Sequence, residues 1–122
     1  MFKIRKIKRN FDLKELTNSI LLVGLPGMGN VGKITVDYLI DKLKAEKICE
    51  VETDALPPIV YLNEQNKIEL PKIELFFKKI STKESKKLKI LFLAGDAQPT
   101  KEEALYEFAR KINNFIENIN AK

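Results

Sequence analysis

The stretch SILLVGLPGMGNVGKITVDYLIDKLKAE, residues 19–46, decides the fold class of this 122-residue chain. Residues 19–26 form a short, continuous apolar run that ends in glycine and proline, which predicts a strand buried on both faces. Residues 31–46 place apolar side chains at helical spacing, which predicts a helix with one buried face. A strand, a glycine turn and a helix in this order form the opening unit of an α/β domain.

The rest of the chain extends this unit. KICEV, residues 47–51, predicts a second strand, which we expect to lie parallel to the first through a right-handed crossover. Residues 57–80 hold short apolar runs broken by a polar turn and a proline, which predicts a hairpin or meander at the sheet margin. KLKILFLAGD, residues 87–96, again has the pattern of a buried strand, and residues 1–9 are expected to add an edge strand. We therefore predict a single α/β domain over residues 1–122, Rossmann-like and layered, with a mainly parallel central sheet.

The C-terminal segment predicts an amphipathic helix over residues 101–119 with one unbroken apolar face. This face must pack on something. Its apolar residues are Leu105, Phe108, Ile112, Phe115, Ile116 and Ile119.

The composition excludes several kinds of catalytic site. The chain contains no histidine, so a Ser-His-Asp triad, a Cys-His pair and any histidine-containing metal site are impossible within it. The one cysteine, Cys49, lies in an apolar-flanked run and is expected to be a buried thiol. We predict no catalytic residue, no metal site and no cofactor, and favour a protein that is not an enzyme.

The charge pattern also limits the partners. The net charge is +5, and residues 78–89 contain six lysines but no arginine and no aromatic residue. Nucleic-acid recognition usually relies on arginine forks and stacking rings, so this run predicts a solvated turn, and nucleic acid is not an expected partner. No apolar run is long enough to span a membrane, and we expect a cytoplasmic protein without membrane contact.

The glycine loop permits two nucleotide-binding interpretations. Gly27, Gly29 and Gly32 match the G-x-G-x-x-G dinucleotide turn, and Glu52 lies where a ribose-binding acid would be expected. With Lys33 the same stretch nearly matches a P-loop, but Ile34 stands where the magnesium-binding hydroxyl belongs.

A third interpretation is that the glycines only permit a sharp turn and close packing of helix on strand. Even then, free amides at the start of a helix could hold an anion. The loop at residues 95–100, GDAQPT, follows another predicted strand and would share the same sheet edge. The candidate anion- or nucleotide-binding residues are Gly27, Gly29, Asn30, Gly32, Lys33, Asp96 and Gln98.

Together, ILLVGLPGMGNVGKITVDYLIDKLKAE and LFLAGDAQPT resemble the archaeal branch of the proteasome assembly chaperone 2 family, whose members pair two such loops. The resemblance implies a fold of the phosphorylase or nucleoside-hydrolase type, oligomeric assembly, and binding of proteasome subunits rather than catalysis. Members of that family are longer, so the chain resembles their N-terminal half. The sheet would then be incomplete, so the resemblance implies that the apolar face of the helix at 101–119 or a bare sheet edge is covered by a second copy or by a complementary chain for the C-terminal half. The predicted partner interface is therefore formed by Leu105, Phe108, Ile112, Phe115, Ile116 and Ile119. Besides the candidate site residues above, Gly24, Pro26, Gly95 and Pro99 match the two family loops.

Overall fold

The computed structural model describes residues 2–7, 11–57, 60–62, 64–84 and 86–119. Its strands are β1 (Phe2–Lys6), β2 (Ile20–Gly24), β3 (Glu46–Thr53), β4 (Tyr61–Leu62), β5 (Ile68–Glu69), β6 (Ile73–Ser81) and β7 (Lys87–Gly95). Its helices are α1 (Val31–Leu43) and α2 (Glu102–Ile119), and two short 3-10 turns cover Leu13–Leu16 and Met28–Asn30.

The central sheet has five strands in the order β1-β3-β6-β7-β2. Within the described residues, β2 and β7 pair in parallel, whereas the β1–β3, β3–β6 and β6–β7 pairs are antiparallel. The prediction of an α/β fold is confirmed, but the prediction of a mainly parallel, Rossmann-like sheet is wrong. The physical reason is that β6 inserts between β3 and β7 and turns straight back into β7, so no helix crosses over between these strands.

The position of β3 differs from the expectation for the same reason. It pairs with β1 and β6 instead of β2. Because β3 pairs antiparallel with β6, and β6 pairs antiparallel with β7, β3 runs in the same direction as β7. It therefore also runs in the same direction as β2, which is parallel to β7. The edge strand predicted within residues 1–9 is β1, and its described part pairs with β3 from Phe2 to Lys6.

One helix covers each face of the sheet. Along β7, Phe92 and Ala94 pack with Val36 of α1, whereas Leu91 and Leu93 belong to the core on the α2 side. This alternation follows from the period of two in a strand. The layered arrangement therefore places the helix that follows the glycine loop above β2 and β7.

The apolar face of α2 is largely covered by the chain itself. Phe108, Ile112 and Ile119 are buried, and the ring of Phe108 lies 5.4 Å from that of Phe2, centroid to centroid. Phe115 and Ile116 are partly buried against the same core, while Leu105 is exposed. The partner contact predicted for these six residues remains a prediction. Leu105 is the one of the six whose side chain is exposed and therefore accessible to a partner.

The segment between β3 and β6 forms a hairpin that is separate from the main sheet. β4 and β5 form a two-stranded antiparallel sheet, in which Tyr61 pairs with Glu69 and Leu62 with Ile68. This confirms a hairpin within residues 57–80, but the prediction that the whole segment lies at the sheet margin is wrong, because its last strand, β6, lies in the middle of the main sheet. β2 differs from its prediction, because it is the outer strand of the main sheet and Ile20 and Val23 are about half exposed instead of buried.

The paired loops as a candidate functional site

The glycine loop and the loop after β7 lie side by side. Because β2 and β7 pair in parallel, with Gly24 opposite Ala94, both loops leave the same edge of the sheet. The side-chain amide of Gln98 donates a hydrogen bond to the main-chain carbonyl of Pro26. Two sequence motifs that are far apart in the chain are thus joined into one site.

Asp96 fixes the second loop to β6. Its main-chain N–H donates to the carbonyl of Lys72 over 2.9 Å, and the N–H of Lys72 donates to Asp96 Oδ2 over 3.1 Å. The other carboxylate oxygen, Oδ1, lies 3.7 Å from the ammonium nitrogen of Lys33. Asp96 therefore has a structural role at the junction of three elements.

Lys33 is held between two carboxylates. Its Nζ donates to Asp37 Oδ2 at 2.7 Å, one helical turn further along α1, and it also faces Asp96. A phosphate at this position would have to compete with both carboxylates for the ammonium group. Lys33 thus lacks the uncompensated charge that a P-loop lysine brings to the outer phosphates.

A cavity of about 280 Å³ opens between α1 and the sheet beside this lysine. Its charged lining consists of Lys33, Asp37, Asp41, Lys72, Glu74 and Asp96. The carboxylates outnumber the lysines, and although Lys47 also binds Glu74 at 2.7 Å, the wall keeps a negative excess. Such a field disfavours the binding of a polyphosphate.

Steric requirements separate the glycines into two groups. A Cβ on Gly24 would lie 2.4 Å from Cβ of Val36, and a Cβ on Gly95 would lie 2.7 Å from Cδ2 of Leu25. Close packing of helix on strand, which the dinucleotide pattern assigns to Gly32, is therefore provided by Gly24. A Cβ on Gly32 would meet only the carbonyl of Val23, at 3.9 Å.

The turn itself depends on residues 27–30. Gly29 and Asn30 have positive φ angles of 71° and 53°, which glycine and asparagine tolerate best. Asn30 Oδ1 accepts a hydrogen bond from the N–H of Gly27 over 3.3 Å. No described atom lies within 4 Å of a Cβ built on Gly27, so packing in the described chain does not require that glycine.

Glu52, the candidate ribose-binding acid, and Thr35, the hydroxyl nearest to the position of Ile34, both have other contacts. Glu52 lies on β3, three inter-strand steps of about 4.8 Å each from β2, so it is remote from the glycine loop. It instead pairs with Arg5 of β1 at 2.5 Å. The hydroxyl of Thr35 donates to the carbonyl of Val31 at 2.7 Å, so it is committed to the helix. Neither the ribose-binding acid nor a magnesium-binding hydroxyl is present at the loop.

The described residues also offer few groups suited to metal binding or to nucleophilic catalysis. Within them, no group of three or more histidine, cysteine, aspartate or glutamate side chains is arranged to hold a metal ion. Burial raises the pKa of the Cys49 thiol to about 11, so this thiol is protonated at neutral pH. No helix in the described part of the chain is long and apolar enough to cross a membrane.

The sequence did not single out some residues of the site. Asp37 could have been found, because its spacing of four residues from Lys33 on a helix predicts an ion pair. Lys72 and Glu74 gave no local signal, because they enter the cavity wall only through the pairing of β6 with β7.

The structure defines an α/β domain in which two loops are pinned together at one edge of a mixed sheet. The chain belongs to the PAC2 family, whose model matches residues 21–122. The family predicted from the two loop motifs is thereby confirmed.

Solved structures of longer proteins share this fold. The Pyrococcus furiosus protein PbaB, an archaeal proteasome activator, is 27% identical, with a TM-score of 0.75 over 99% of this chain and 48% of its own. P. furiosus PbaA, an archaeal homolog of proteasome-assembly chaperone, is 21% identical, with a TM-score of 0.65 over 100% of this chain and 46% of its own, and supports the fold alone.

A curated relative from Methanocaldococcus jannaschii, an uncharacterized protein, is 36% identical over 70 residues, which are 57% of this chain and 27% of that protein. The chain thus spans about half the length of the solved relatives and matches about a quarter of the curated one.

Proposed function

We propose that this chain is a non-enzymatic, oligomerising PAC2 protein that binds proteasome subunits. The observation that carries the non-enzymatic part is the position of Lys33 between Asp37 and Asp96 in a cavity with a negative excess. The proteasome part is supported by the similarity to PbaB, an archaeal proteasome activator. In this proposal the glycine loop has a structural role: it connects β2 to α1 and contacts the second loop.

Residues 1–122 act as one domain equivalent to the N-terminal half of the longer PAC2 proteins. The chain works in the cytoplasm, needs no cofactor, and assembles with a second copy or with a polypeptide that supplies the remaining half.

The β4–β5 hairpin supplies a surface for a protein partner. We define its apolar face as the side chains of Val60, Leu62, Ile68 and Leu70, which are 60–73% exposed. Leu62 pairs with Ile68, and the alternation of strand side chains places Val60 and Leu70 on the same face. An isolated two-stranded ribbon is marginally stable in water, and a contiguous exposed apolar patch is typical of a protein-binding site. We place the proteasome subunit on this face.

Binding to recombinant archaeal proteasome α and β subunits tests this assignment. The chain should co-elute with at least one subunit, and the double variant Leu62→Lys/Ile68→Lys should lose the complex, since it places two charges on the apolar face. Tyr106→Lys is the matched control, because Tyr106 is equally exposed but lies on α2. Equal binding by the double variant and the native chain would contradict the assignment of this face.

The alternative function is nucleotide or phosphate binding by the loop at residues 24–33. One observation favours it: α1 begins at Val31, and the Asn30 side chain makes no capping hydrogen bond to the first amides of the helix. Those amides are suitable donors for an anion. The paired charge of Lys33 weighs against this function, and thermal-shift measurements with nucleotides separate the two.

A further inference from the structure

The turn between β6 and β7 carries the whole net charge of the chain. Residues 78–89 contain six lysines and one glutamate, an excess of five positive charges, and the net charge of all 122 residues is also +5. The other residues of the chain therefore balance to zero. A charge excess confined to one end of a hairpin gives a local basic surface on a protein that is otherwise close to neutral.

This end of the hairpin extends beyond its neighbouring strands. β2 pairs with β7 only from Ile90 onwards, and β3 pairs with β6 only up to Phe77. Beyond these positions, in the described part of the chain, β6 and β7 pair only with each other. We call this two-stranded end the basic ribbon and define it as residues 78–82 and 86–89.

One face of the basic ribbon is covered by the chain itself. Lys79 and Lys89 lie directly opposite each other on this face. The Nζ of Lys79 lies 3.4 Å from Glu15 Oε2, in the first 3-10 turn. The Nζ of Lys89 donates a hydrogen bond to the carbonyl of Thr17 over 3.3 Å. Two of the lysines are thus engaged within the chain and are not available to a partner.

The opposite face of the basic ribbon has an apolar centre that is partly exposed. Ile80 lies directly opposite Leu88, which is 37% exposed, and within the described residues neither is part of a core cluster. The alternation of side chains places this pair on the α1 side of the sheet, but α1 ends at Leu43 and does not cover it. Lys78 and Lys86 lie on the same face, two residues before Ile80 and two before Leu88.

This arrangement leaves cations on both sides of the apolar pair. Lys78 lies towards the core of the sheet, and Lys86 lies towards the tip of the ribbon, where its carbonyl accepts from the N–H of Thr82 over 2.9 Å. Lys86 Nζ is 4.0 Å from Glu84 Oε2, but the two side chains are 81% and 80% exposed. An ion pair as exposed as this one contributes little, so Lys86 can exchange Glu84 for another carboxylate.

Carboxylates among the lysines decide between two classes of partner. Glu84 lies at the tip, and Glu15 and Glu46 line a surface cavity of about 420 Å³ beside Lys78. A nucleic acid, which is negative along its whole length, would meet these carboxylates and would find no arginine and no aromatic ring within residues 78–89. A protein segment can combine carboxylates with an apolar side chain, which is the combination that this face complements.

We propose that the open face of the basic ribbon binds an acidic, amphipathic segment of a partner protein in an extended conformation. An apolar side chain of the segment packs on Ile80 and Leu88, and carboxylates on either side of it pair with Lys78 and Lys86. Side chains on one face of an extended segment recur about every 6.8 Å, which is also the spacing of Lys78 and Ile80 along β6. The charges orient the segment, and the apolar contact holds it.

This surface is distinct from the face assigned to the proteasome subunit. The β4–β5 hairpin precedes β6, whereas the basic ribbon is formed by the end of β6 and the start of β7. The two surfaces therefore lie at opposite ends of β6, and the chain can contact two protein partners at once.

A fluorescently labelled peptide of alternating glutamate and leucine is the probe, and fluorescence anisotropy is the measurement. The native chain should bind the peptide saturably. Replacing every glutamate of the peptide with lysine, or every leucine with serine, should weaken binding at least tenfold, because the segment needs both its charges and its apolar side chains.

Variants of the chain locate the binding face. Lys78→Glu/Lys86→Glu should raise the dissociation constant of the peptide at least tenfold. The matched control Lys87→Glu/Lys111→Glu changes the net charge equally, but Lys87 lies on the other face of the ribbon and Lys111 on α2, so it should raise the constant less than about threefold. Leu88→Ser leaves the net charge unchanged and should weaken binding through the apolar contact alone.

Several results would overturn the proposal: no binding of the peptide by the native chain at millimolar concentration, equal losses in the two double variants, or native affinity in Leu88→Ser. So would displacement of the peptide by a single-stranded RNA of the same charge, since the ribbon would then bind polyanions in general. The assay contains no proteasome subunit, so its failure would overturn this inference and leave the proposed function standing.

Discussion

The side-chain amide of Gln98 donates a hydrogen bond to the main-chain carbonyl of Pro26, and this bond joins the two loop motifs of the family at the edge of the sheet, beside the Lys33–Asp96 contact. Pro26 follows β2 and Gln98 follows β7, so the bond also ties together the ends of the two parallel strands. Gln98 thus contacts the glycine loop from a position 72 residues further along the chain.

Gln98→Glu should destabilise the protein by about 1–3 kcal/mol, because it replaces the donor with a carboxylate and leaves the Pro26 carbonyl without its partner. Urea denaturation followed by circular dichroism measures the change. Asn114→Asp is a comparable amide-to-acid change at an exposed site on α2 and should alter stability by less than about 0.5 kcal/mol. If the two variants had the same midpoint, the Gln98 bond would have no measurable role in stability.

The two groups of glycines should respond differently to alanine. Gly24→Ala should cost about 1–3 kcal/mol or prevent folding, since its Cβ would lie 2.4 Å from Cβ of Val36. Gly27→Ala should change stability by less than about 0.5 kcal/mol, because its φ of −158° is extended and the space around it is open. Chemical denaturation of both variants is the measurement. A larger loss for Gly27→Ala than for Gly24→Ala would contradict the assignment of the packing role to Gly24.

Phosphate and nucleotides should not stabilise the chain. A ligand present at 100 times its dissociation constant adds about 2.7 kcal/mol of stability, which a thermal-shift assay detects readily. We expect no shift with inorganic phosphate, ATP with magnesium, or NAD, because Lys33 is compensated by Asp37 and Asp96. A shift that Lys33→Met abolishes would instead support the alternative function of the glycine loop.

The stability of the protein should fall in the alkaline range because of Cys49. Burial raises the pKa of this thiol from 9.0 to about 11, so its contribution is complete below pH 9 and is lost as the pH rises to about 11. A shift of this size corresponds to roughly 3 kcal/mol. The hydrogen bond that the Lys47 ammonium donates to the Glu74 carboxylate also raises the pKa of Lys47, which adds a loss of its own above pH 10.5.

Urea denaturation under reducing conditions between pH 7 and 10.5 isolates the effect of the thiol when the native chain is compared with Cys49→Ala. The native chain should lose stability more steeply above pH 9 than the alanine variant, which retains Lys47. Parallel curves for the two proteins would show that the thiol does not carry the alkaline loss.

Much of the local structure could be predicted from the sequence. The strand, turn and helix of residues 19–46, the strand at 87–95 and the amphipathic helix at 102–119 all have contiguous patterns, so their existence follows from local spacing. The family followed from two motifs whose combination is specific, although neither is specific alone.

The pairing of strands could not be predicted in the same way. A buried strand has the same apolar run whether its neighbours are parallel or antiparallel, so the sequence did not show that β6 would separate β3 from β7. The sequence also did not show that the chain itself covers the apolar face of α2. The rings of Phe2 and Phe108 pack together, but these residues lie about 100 positions apart in the sequence. The Lys33–Asp37 pair follows from helical spacing, but Asp96 reaches Lys33 only because β2 and β7 are neighbours.

We propose that this PAC2 chain binds proteasome subunits and performs no chemistry at its glycine loop. Biolayer interferometry with immobilised chain and purified archaeal proteasome α subunits tests it most directly, with nucleotide absent and then present. We predict saturable binding that is independent of ATP and unchanged in Lys33→Met. Absence of binding, or binding that requires both ATP and Lys33, would contradict the account.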